Sequence, residues 1–323
     1  MAPEKITRCR NCNSDNTAIS KKGVITPFFG KRVFNIEFTT NTKDKILYSN
    51  KKNNFIKSKI LKVLKKYIFK NETNKVILNI YKSNPITSII VCNDCNFIGP
   101  EKNYSYDLLS GLYHDYRSET YNKDRCEVEP SYDAIQHLVG KDKNEIKERL
   151  KNVDSIIKKY SDTKNIKNIL DWGGGEGKFI PTKFVDKNVS VYDVSNEPLI
   201  NENYKRVDKL DDTFLYDYIQ VCHVLEHVSE PNSTVKEILK NLRAGGLLYI
   251  EVPQDRTDIE IENFKYSNSD INHYIHEHIN LYSVKSVEGL GESLGLEIIY
   301  IGMSEMDLGW SKGKIISGLF KNK

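Results

Sequence analysis

From about residue 165 to its end, the chain alternates short apolar runs with stretches of helical periodicity. This alternation is typical of a mostly parallel sheet with covering helices, so it predicts an α/β fold. Seven runs are predicted to be strands: Asn168–Asp171, Val189–Asp193, Tyr204–Val207, Tyr218–Cys222, Leu247–Val252, Leu296–Ile301 and Lys314–Phe320. Four helices are predicted between them: Lys178–Phe184, Glu197–Glu202, Ser233–Asn241 and Ser283–Leu294.

A glycine-rich turn, DWGGGEGKF, follows the first predicted strand. Glycine lets a backbone turn tightly and approach a ligand without a Cβ clash, and amides at the start of the predicted helix would face a polar or anionic group. A P-loop is excluded because Phe179 stands where that loop has serine or threonine. The dinucleotide pattern G-x-G-x-x-G is excluded because Lys178 replaces its last glycine.

The pattern that remains is an acid followed by G-x-G-x-G, and it begins at Asp171. A second acid, Asp193, ends the next predicted strand 22 residues later. An acid at that position can accept hydrogen bonds from both hydroxyls of a ribose. The two acids therefore predict a nucleoside ligand, and the alternative is a tight turn without a ligand.

These segments resemble the class I S-adenosylmethionine (SAM)-dependent methyltransferases. DWGGGEGKF is similar to their first motif, VYDVS to their second, and residues 216–253 to the later-strand block of one large branch. The resemblance implies a Rossmann-like seven-stranded sheet with a reversed final strand, in which the first motif lines the methionine end of SAM and Asp193 holds the ribose. The cofactor-binding residues are predicted to be Asp171, Gly173, Gly175, Gly177, Asp193 and His223.

Five of the seven histidines lie between residues 223 and 278. Loops that follow parallel strands meet at the ligand crevice, so these side chains are expected to converge. Methyl transfer needs an aligned acceptor and a group that takes its proton, and neutral imidazole suits the second task. We predict His278 and His227 as candidate bases, Glu277 as the orienting carboxylate and His276 as a substrate contact. A structural role, or a catalytic metal at His273, His276 and His278, stays open.

The HEH block, residues 276–278, also resembles that of sugar C-methyltransferases, a branch with an N-terminal zinc module. By this resemblance Glu277, His278 and His227 line the sugar pocket. Ile275 stands where that branch has a tyrosine, so carbon and oxygen methylation both stay open. The tyrosine-rich segment at 112–121 is similar to the branch's linker over cofactor and substrate. The substrate contacts predicted there are Tyr116 and Tyr121, with interdomain packing as the alternative.

Two C-x-x-C pairs predict a structural zinc site with four thiolate ligands, which would clamp a small module with little core of its own. The ligands are predicted to be Cys9, Cys12, Cys92 and Cys95. A redox dithiol or reduced free thiols are the alternatives. We thus predict a zinc-binding module at 1–100, a tyrosine-rich and helical linker or cover at 101–160, and the methyltransferase domain at 161–323.

A lysine-rich insert at about 43–82 interrupts the zinc module. It holds twelve lysines and two acids, whereas the whole chain has a net charge of only +4, which does not fit a uniformly basic nucleic-acid binder. Residues 54–69 within it read as a basic amphipathic helix. Such a helix either packs on the protein or binds an anionic membrane surface or a partner such as a glycosyltransferase.

The composition, with 39% hydrophobic and 28% charged residues, predicts a soluble globular protein. No apolar run approaches the roughly 18 residues of a transmembrane helix, and the first residues lack an apolar signal core, so we expect a cytoplasmic protein. The expected activity is transfer of a methyl group from SAM to a sugar, either nucleotide-linked or part of a surface polysaccharide. The rivals are a methyltransferase for small acids or phosphate-containing metabolites, and an assembly protein with a vestigial SAM fold.

Overall fold

The computed structural model describes residues 8–34, 86–113, 115–116, 118–195, 197–211, 213–266, 273–309 and 311–323. The insert at 43–82, its predicted helix and its predicted partner contacts lie outside the described residues. No helix within the described ranges is long and apolar enough to cross a bilayer.

Eleven strands form within these ranges, and they are β1 Thr17–Ile25, β2 Ile86–Cys92, β3 Ile98–Pro100, β4 Asn168–Trp172, β5 Asn188–Tyr192, β6 Lys205–Arg206, β7 Tyr216–Cys222, β8 Leu242–Pro253, β9 His273–Ile275, β10 Glu297–Asp307 and β11 Lys312–Lys321. The α-helices of the same ranges are α1 Pro27–Phe34, α2 Tyr106–Tyr113, α3 Glu119–Val128, α4 Lys143–Tyr160, α5 Pro231–Leu239, α6 Asp258–Tyr266 and α7 Val284–Ser293. Short 3-10 helices lie at Pro130–Ala134 and Thr182–Phe184.

The large sheet confirms the predicted seven-stranded architecture. Its order is β10-β11-β8-β7-β4-β5-β6. β8, β7, β4, β5 and β6 pair in parallel, and β11 pairs antiparallel to both β8 and β10. The final strand is therefore the reversed one, and the carboxyl ends of β4, β5 and β7 share one edge, where ligands bind in sheets of this type.

Both faces of the large sheet are covered. Neighbouring side chains of a strand point to opposite faces, and Ile169 and Leu170 on β4 belong to two different hydrophobic clusters. Ile157 of α4 packs in the cluster of Ile169, whereas α5 and α7 contribute to the cluster of Leu170. This fixes α4 over one face and α5 with α7 over the other.

A second sheet, ordered β3-β2-β1-β9, joins three strands from the first hundred residues to β9. β1 pairs antiparallel with β2 and parallel with β9, where Gly23 lies opposite His273 and Ile25 opposite Ile275. β3 is connected to the same region by a bridge between Ile98 and Leu281. The segment on either side of the HEH block is therefore held by the N-terminal strands.

Two predicted helices are wrong. Residues 178–184 form turns and the short 3-10 helix, because Pro181 has no amide to continue a helical hydrogen-bond ladder. Residues 197–202 are irregular: the Ile200 amide donates to the Glu176 oxygen at 3.0 Å, and Arg206 donates to the Glu197 backbone oxygen. Tertiary hydrogen bonds, one of them to the glycine turn, thus replace helical ones.

Candidate active site

The glycine turn at the carboxyl end of β4 needs glycine for two separate reasons. Gly173, Gly175 and Gly177 have φ angles of 74°, 52° and 79°, in the left-handed region that other L-residues rarely adopt. At Gly174 a Cβ atom would lie 2.3 Å from the Asp171 carboxyl carbon, far inside contact distance. The turn is therefore wrapped around the Asp171 carboxylate.

Asp193 follows β5 and faces the same turn. One of its carboxylate oxygens accepts a hydrogen bond from the Gly175 amide at 2.8 Å, and the other accepts one from the Ser195 amide at 2.7 Å. Its place beside the turn, at the end of the next parallel strand, fits the position from which an acid reaches a ribose. The ribose contact itself stays a prediction.

Asp171 is 1% exposed, and its Oδ2 atom has no hydrogen-bond partner. Burial raises its pKa to about 7, and Asp193 adds to the rise, whereas a hydrogen bond with Gln220 and the charge of Arg149 oppose it. A cation above the turn would favour the ionised form. The orphaned oxygen and the open glycine cradle therefore fit the positively charged methionine end of SAM.

Replacing Gly174 with alanine is expected to weaken SAM binding by about 100-fold, because the new methyl group displaces the Asp171 carboxylate or the turn. Isothermal titration calorimetry with SAM measures this. Gly245 is the control, since a Cβ there meets nothing within 4 Å; its φ of 72°, unlike that of Gly174, is positive, so alanine there adds backbone strain without a steric clash. Gly245→Ala should lower stability slightly and leave the SAM affinity unchanged, and an equal loss of affinity in both variants would contradict the assignment.

The loop after β7 contains a buried carboxylate that faces two histidines of its own loop and one of the HEH block. Glu226 is fully buried, and neither of its carboxylate oxygens has a hydrogen-bond partner. Its Oε1 atom lies 3.3 Å from His223 Nδ1 and 3.8 Å from His227 Nε2. Burial opposes ionisation, but the facing imidazoles, with His278 among them, lower the pKa of Glu226 to about 2.

His223 sits at the turn out of β7 with a φ of 54°. A non-glycine residue in this region is strained, and such strain is concentrated at functional sites. Its Nε2 atom lies 3.4 Å from Glu251 Oε1, which also accepts a hydrogen bond from Arg149 Nε at 2.7 Å. The predicted role of His223 in cofactor binding stays a prediction.

Glu277 contacts His227 through its backbone oxygen, and the predicted orienting role of its carboxylate stays a prediction. Its backbone oxygen lies 2.8 Å from His227 Nδ1, and the Tyr113 hydroxyl lies 2.9 Å from the same nitrogen. The Glu277 carboxylate accepts hydrogen bonds from the Tyr121 hydroxyl and, at 2.8 Å, from Arg125. Burial would raise the pKa of Glu277, but the charge of Arg125, the Tyr121 hydrogen bond and His227 together outweigh it, so the pKa is lowered.

His278 lies between the two loops. Its ring centroid is 5.0 Å from that of His227 and 4.9 Å from that of His276, and its Nδ1 atom is 3.6 Å from Asp255 Oδ1. Burial opposes protonation of His278, but Asp255 and Glu226 raise its pKa. Burial lowers the pKa of His227. The two imidazoles thus differ in basicity.

The structure brings together His223, His227, His276, His278, Glu277 and Tyr121. Tyr121 is fully buried with its hydroxyl on Glu277, and Tyr116 packs on its ring at 5.4 Å, so both support the histidine loops and their substrate contacts stay predictions. The side chain of His273 lies outside the described residues. Sequence reasoning missed Glu226, although it stands between two singled-out histidines, and Tyr113, although it lies in the tyrosine-rich segment. It also missed Arg125 and Asp255, which carried no local signal.

The four predicted zinc ligands converge. The Sγ atoms of Cys9 and Cys95 are 3.8 Å apart, and those of Cys12 and Cys92 are 3.7 Å apart; all four lie within 4.8 Å of one another. Zn–S bonds of about 2.3 Å in a tetrahedron place sulfurs about 3.8 Å apart, so the cluster fits zinc.

The cysteine cluster docks on α7. Asn11 donates to the Ser286 oxygen at 2.7 Å, and a Cβ on Gly289 would lie 2.7 Å from the Cβ of Cys95. The cluster and the large domain are therefore in direct contact, and Cys92 and Cys95 belong to the same hydrophobic cluster as Leu290 of that helix.

Comparison with known proteins identifies one family and several solved structures of similar fold. The model of a family described as a methyltransferase domain matches residues 135–301, more than half of the chain. A search of curated proteins found no match.

Three solved structures have a fold similar to that of this chain. They are the 1,6-didemethyltoxoflavin-N1-methyltransferase of Burkholderia thailandensis with bound 1,6-didemethyltoxoflavin and S-adenosylhomocysteine (13% identity, 62% of this chain and 87% of that chain, TM-score 0.43), the plantazolicin methyltransferase BpumL with S-adenosylhomocysteine (13%, 67% and 94%, TM-score 0.41), and the N-methyltransferase NodS of Bradyrhizobium japonicum WM9 with S-adenosylhomocysteine (14%, 59% and 98%, TM-score 0.38).

The family match runs from the end of the linker through α4, the glycine turn and both histidine loops, which are the parts that build the crevice. On that match, the chain belongs to the methyltransferase-domain family and is a SAM-dependent methyltransferase.

Proposed function

We propose that this enzyme methylates a sugar, either nucleotide-linked or a residue of a surface polysaccharide, at an oxygen or a carbon atom. The observation that carries the proposal is the polar wall of the crevice. The partly exposed imidazoles of His223, His227 and His278 meet beside the glycine turn: a Cβ on Gly173 would touch Val224 of the His223–His227 loop at 2.4 Å. Such groups suit an acceptor with several hydroxyls.

In this proposal the chain positions the acceptor and takes its proton. Bound SAM supplies an activated methyl group that the acceptor receives in an in-line displacement, so alignment contributes much of the acceleration. His278 is the proposed base, with His227 as the second candidate. Glu277 holds His227 through its backbone oxygen, and Asp193 and the glycine turn hold the cofactor.

Zinc at the four cysteines belongs to the same proposal. The sulfur spacing supports it, and the docking of the cluster on α7 gives it a structural task. The proposed site of action is the cytoplasm, with the 43–82 insert as the contact to a membrane surface or a glycosyltransferase.

Replacing His278 with alanine is expected to lower the turnover number by at least about 100-fold while SAM affinity stays within twofold, since general-base groups contribute about that much. His137→Ala, the same change in the turn before α4, is the control and should keep full turnover. The assay follows S-adenosylhomocysteine release with a panel of nucleotide sugars beside small acids and phosphate-containing metabolites. Turnover only with the metabolites would contradict the sugar proposal, and wild-type turnover in His278→Ala would exclude that residue as the base.

A further inference from the structure

The histidine loops contain a buried carboxylate, Glu226, that has no role in the proposed base mechanism. The ligand-capable atoms of Glu226, His227 and His278 lie within 4.8 Å of one another. The Glu226 carboxylate is fully buried, and both of its oxygens lack a hydrogen bond. The imidazoles of His223 and His227 face its Oε1 atom at 3.3 and 3.8 Å without making a hydrogen bond. Because a buried charge without hydrogen bonds is costly, a cation bound at these oxygens would complete the site.

We infer that Glu226, His227 and His278 bind a divalent first-row cation in the crevice. Two imidazoles and one carboxylate on one side of a cation leave its other positions open, which is the donor set of catalytic rather than structural metal sites. Bonds of about 2.1 Å place ligand atoms about 3 to 4 Å apart. The separation of 3.8 Å between His227 Nε2 and Glu226 Oε1 falls in that range.

The surroundings of His227 match those of a metal-binding histidine. Such a residue nearly always donates its other ring N–H to a backbone oxygen or a carboxylate, which fixes its tautomer and orientation. His227 Nδ1 lies 2.8 Å from the Glu277 backbone oxygen, so its proton is placed there and Nε2 is left for the cation. The Glu277 carboxylate is in turn held by Arg125 at 2.8 Å and by Tyr121.

The ligands of this site differ from those of the cysteine cluster and from the catalytic metal site considered at His273, His276 and His278. Only His278 belongs to both histidine sets, and Glu226 supplies the negative charge that an all-histidine set lacks. The cysteine cluster offers four soft thiolates, which suit zinc, whereas a mixed set of imidazole and carboxylate ligands also accepts Mn²⁺. Mn²⁺ is therefore the suitable probe.

The role of the cation rests on the proposed function, although its binding does not. Beside the glycine turn it would polarise an acceptor hydroxyl and lower its pKa. The hydroxyl oxygen then forms the bond to the methyl carbon as the carbon–sulfur bond breaks; the sulfur leaves as a neutral thioether, and the hydroxyl proton passes to solvent. This favours an oxygen acceptor. His227 and His278 then act as metal ligands in place of the general base proposed above.

The test is a Mn²⁺ titration of the full-length protein, followed by electron paramagnetic resonance, with zinc content measured in parallel. We expect one Mn²⁺ per wild-type chain and at least about 10-fold weaker binding in Glu226→Gln and in His278→Ala. Glu237→Gln, the same change at an exposed position of α5, should bind like wild type. Circular dichroism and SAM binding establish that each variant is folded, and His278→Ala decides the matter if Glu226→Gln is unfolded.

Two results would overturn the inference: no Mn²⁺ binding by the wild type up to millimolar concentration, or equal binding by the wild type and both folded variants. The outcome for the proposed function is read separately. If Mn²⁺ binds as expected but no sugar is methylated, the site stands and the sugar assignment fails. If sugars are methylated by a chain that binds no Mn²⁺, the cation site fails and the histidine base stands.

Discussion

Replacing Cys92 with serine is expected to reduce the zinc content from one ion per chain to none and to lower the melting temperature by about 5 °C or more. Loss of one thiolate removes a ligand of a structural site whose binding free energy is part of the folding free energy, and a few kcal/mol correspond to such a shift in a chain of this size. Metal analysis of the purified protein and a thermal unfolding scan measure the two effects.

The same substitution should also lower methyl transfer. Cys92 ends β2, which pairs with β1, and β1 pairs with β9 immediately before the HEH block. Loosening the N-terminal sheet should therefore displace His276 and His278, because the backbone of β9 leads directly into them. We expect the loss of turnover to exceed the loss of SAM affinity, because the glycine turn lies on the other sheet.

Cys126→Ser is the matched control, since Cys126 lies on α3 outside the cluster. It should keep the zinc and the melting temperature of the wild type. Zinc retained at one per chain in Cys92→Ser, or equal melting temperatures in the two variants, would argue for free or redox-active thiols instead.

The sheet was predictable because its determinants are local. Each buried strand is a short apolar run, and the glycine turn marks the end of the first, so all seven strands agree with the structure. The two wrong helices show where local patterns fail. Pro181 breaks one of them, and in the other the Ile200 amide bonds to Glu176 in the glycine turn, a contact that no periodicity reveals.

The site was predictable as a set of residues but not as a set of pairs. The histidines and Glu277 stood out by type and by position after strands. Their partners did not, since Tyr121 and Arg125 are more than 150 residues away from Glu277 along the chain. The sequence therefore suggested Glu277 as an orienting carboxylate for either histidine. It could not show that the backbone oxygen of Glu277, and not its carboxylate, contacts His227.

Replacing Asp171 with asparagine is expected to stabilise the protein at pH 8 while weakening SAM binding by about 10- to 100-fold. In the folded chain burial raises the pKa of Asp171 to about 7, whereas in the unfolded chain it is about 3.9. Below pH 4 both states hold the proton, so its burial adds no pH-dependent cost. Between pH 4 and 7 only the unfolded state loses it, so stability falls as the pH rises.

Above pH 7 both states are ionised, and a constant cost of up to about 4 kcal/mol remains. Asparagine removes that cost, so the gain in stability should be large at pH 8 and vanish near pH 4. Asp186→Asn, the same change at an exposed position, should show no such dependence. Chemical unfolding at several pH values measures the difference, and a gain of equal size at pH 4 and pH 8 would contradict the buried-charge explanation.

The affinity for SAM should change with pH in the opposite direction to the stability. The methionine end of SAM carries positive charge, which interacts favourably with ionised Asp171 across the thin glycine turn. Wild-type affinity should therefore rise between pH 6 and 8, whereas the affinity of Asp171→Asn should stay flat over the same range. If the affinity of both proteins were independent of pH, the charge of Asp171 would not act on the cofactor. Parallel rising profiles would assign the pH dependence to another group, so the difference between the two profiles isolates the contribution of this one carboxylate.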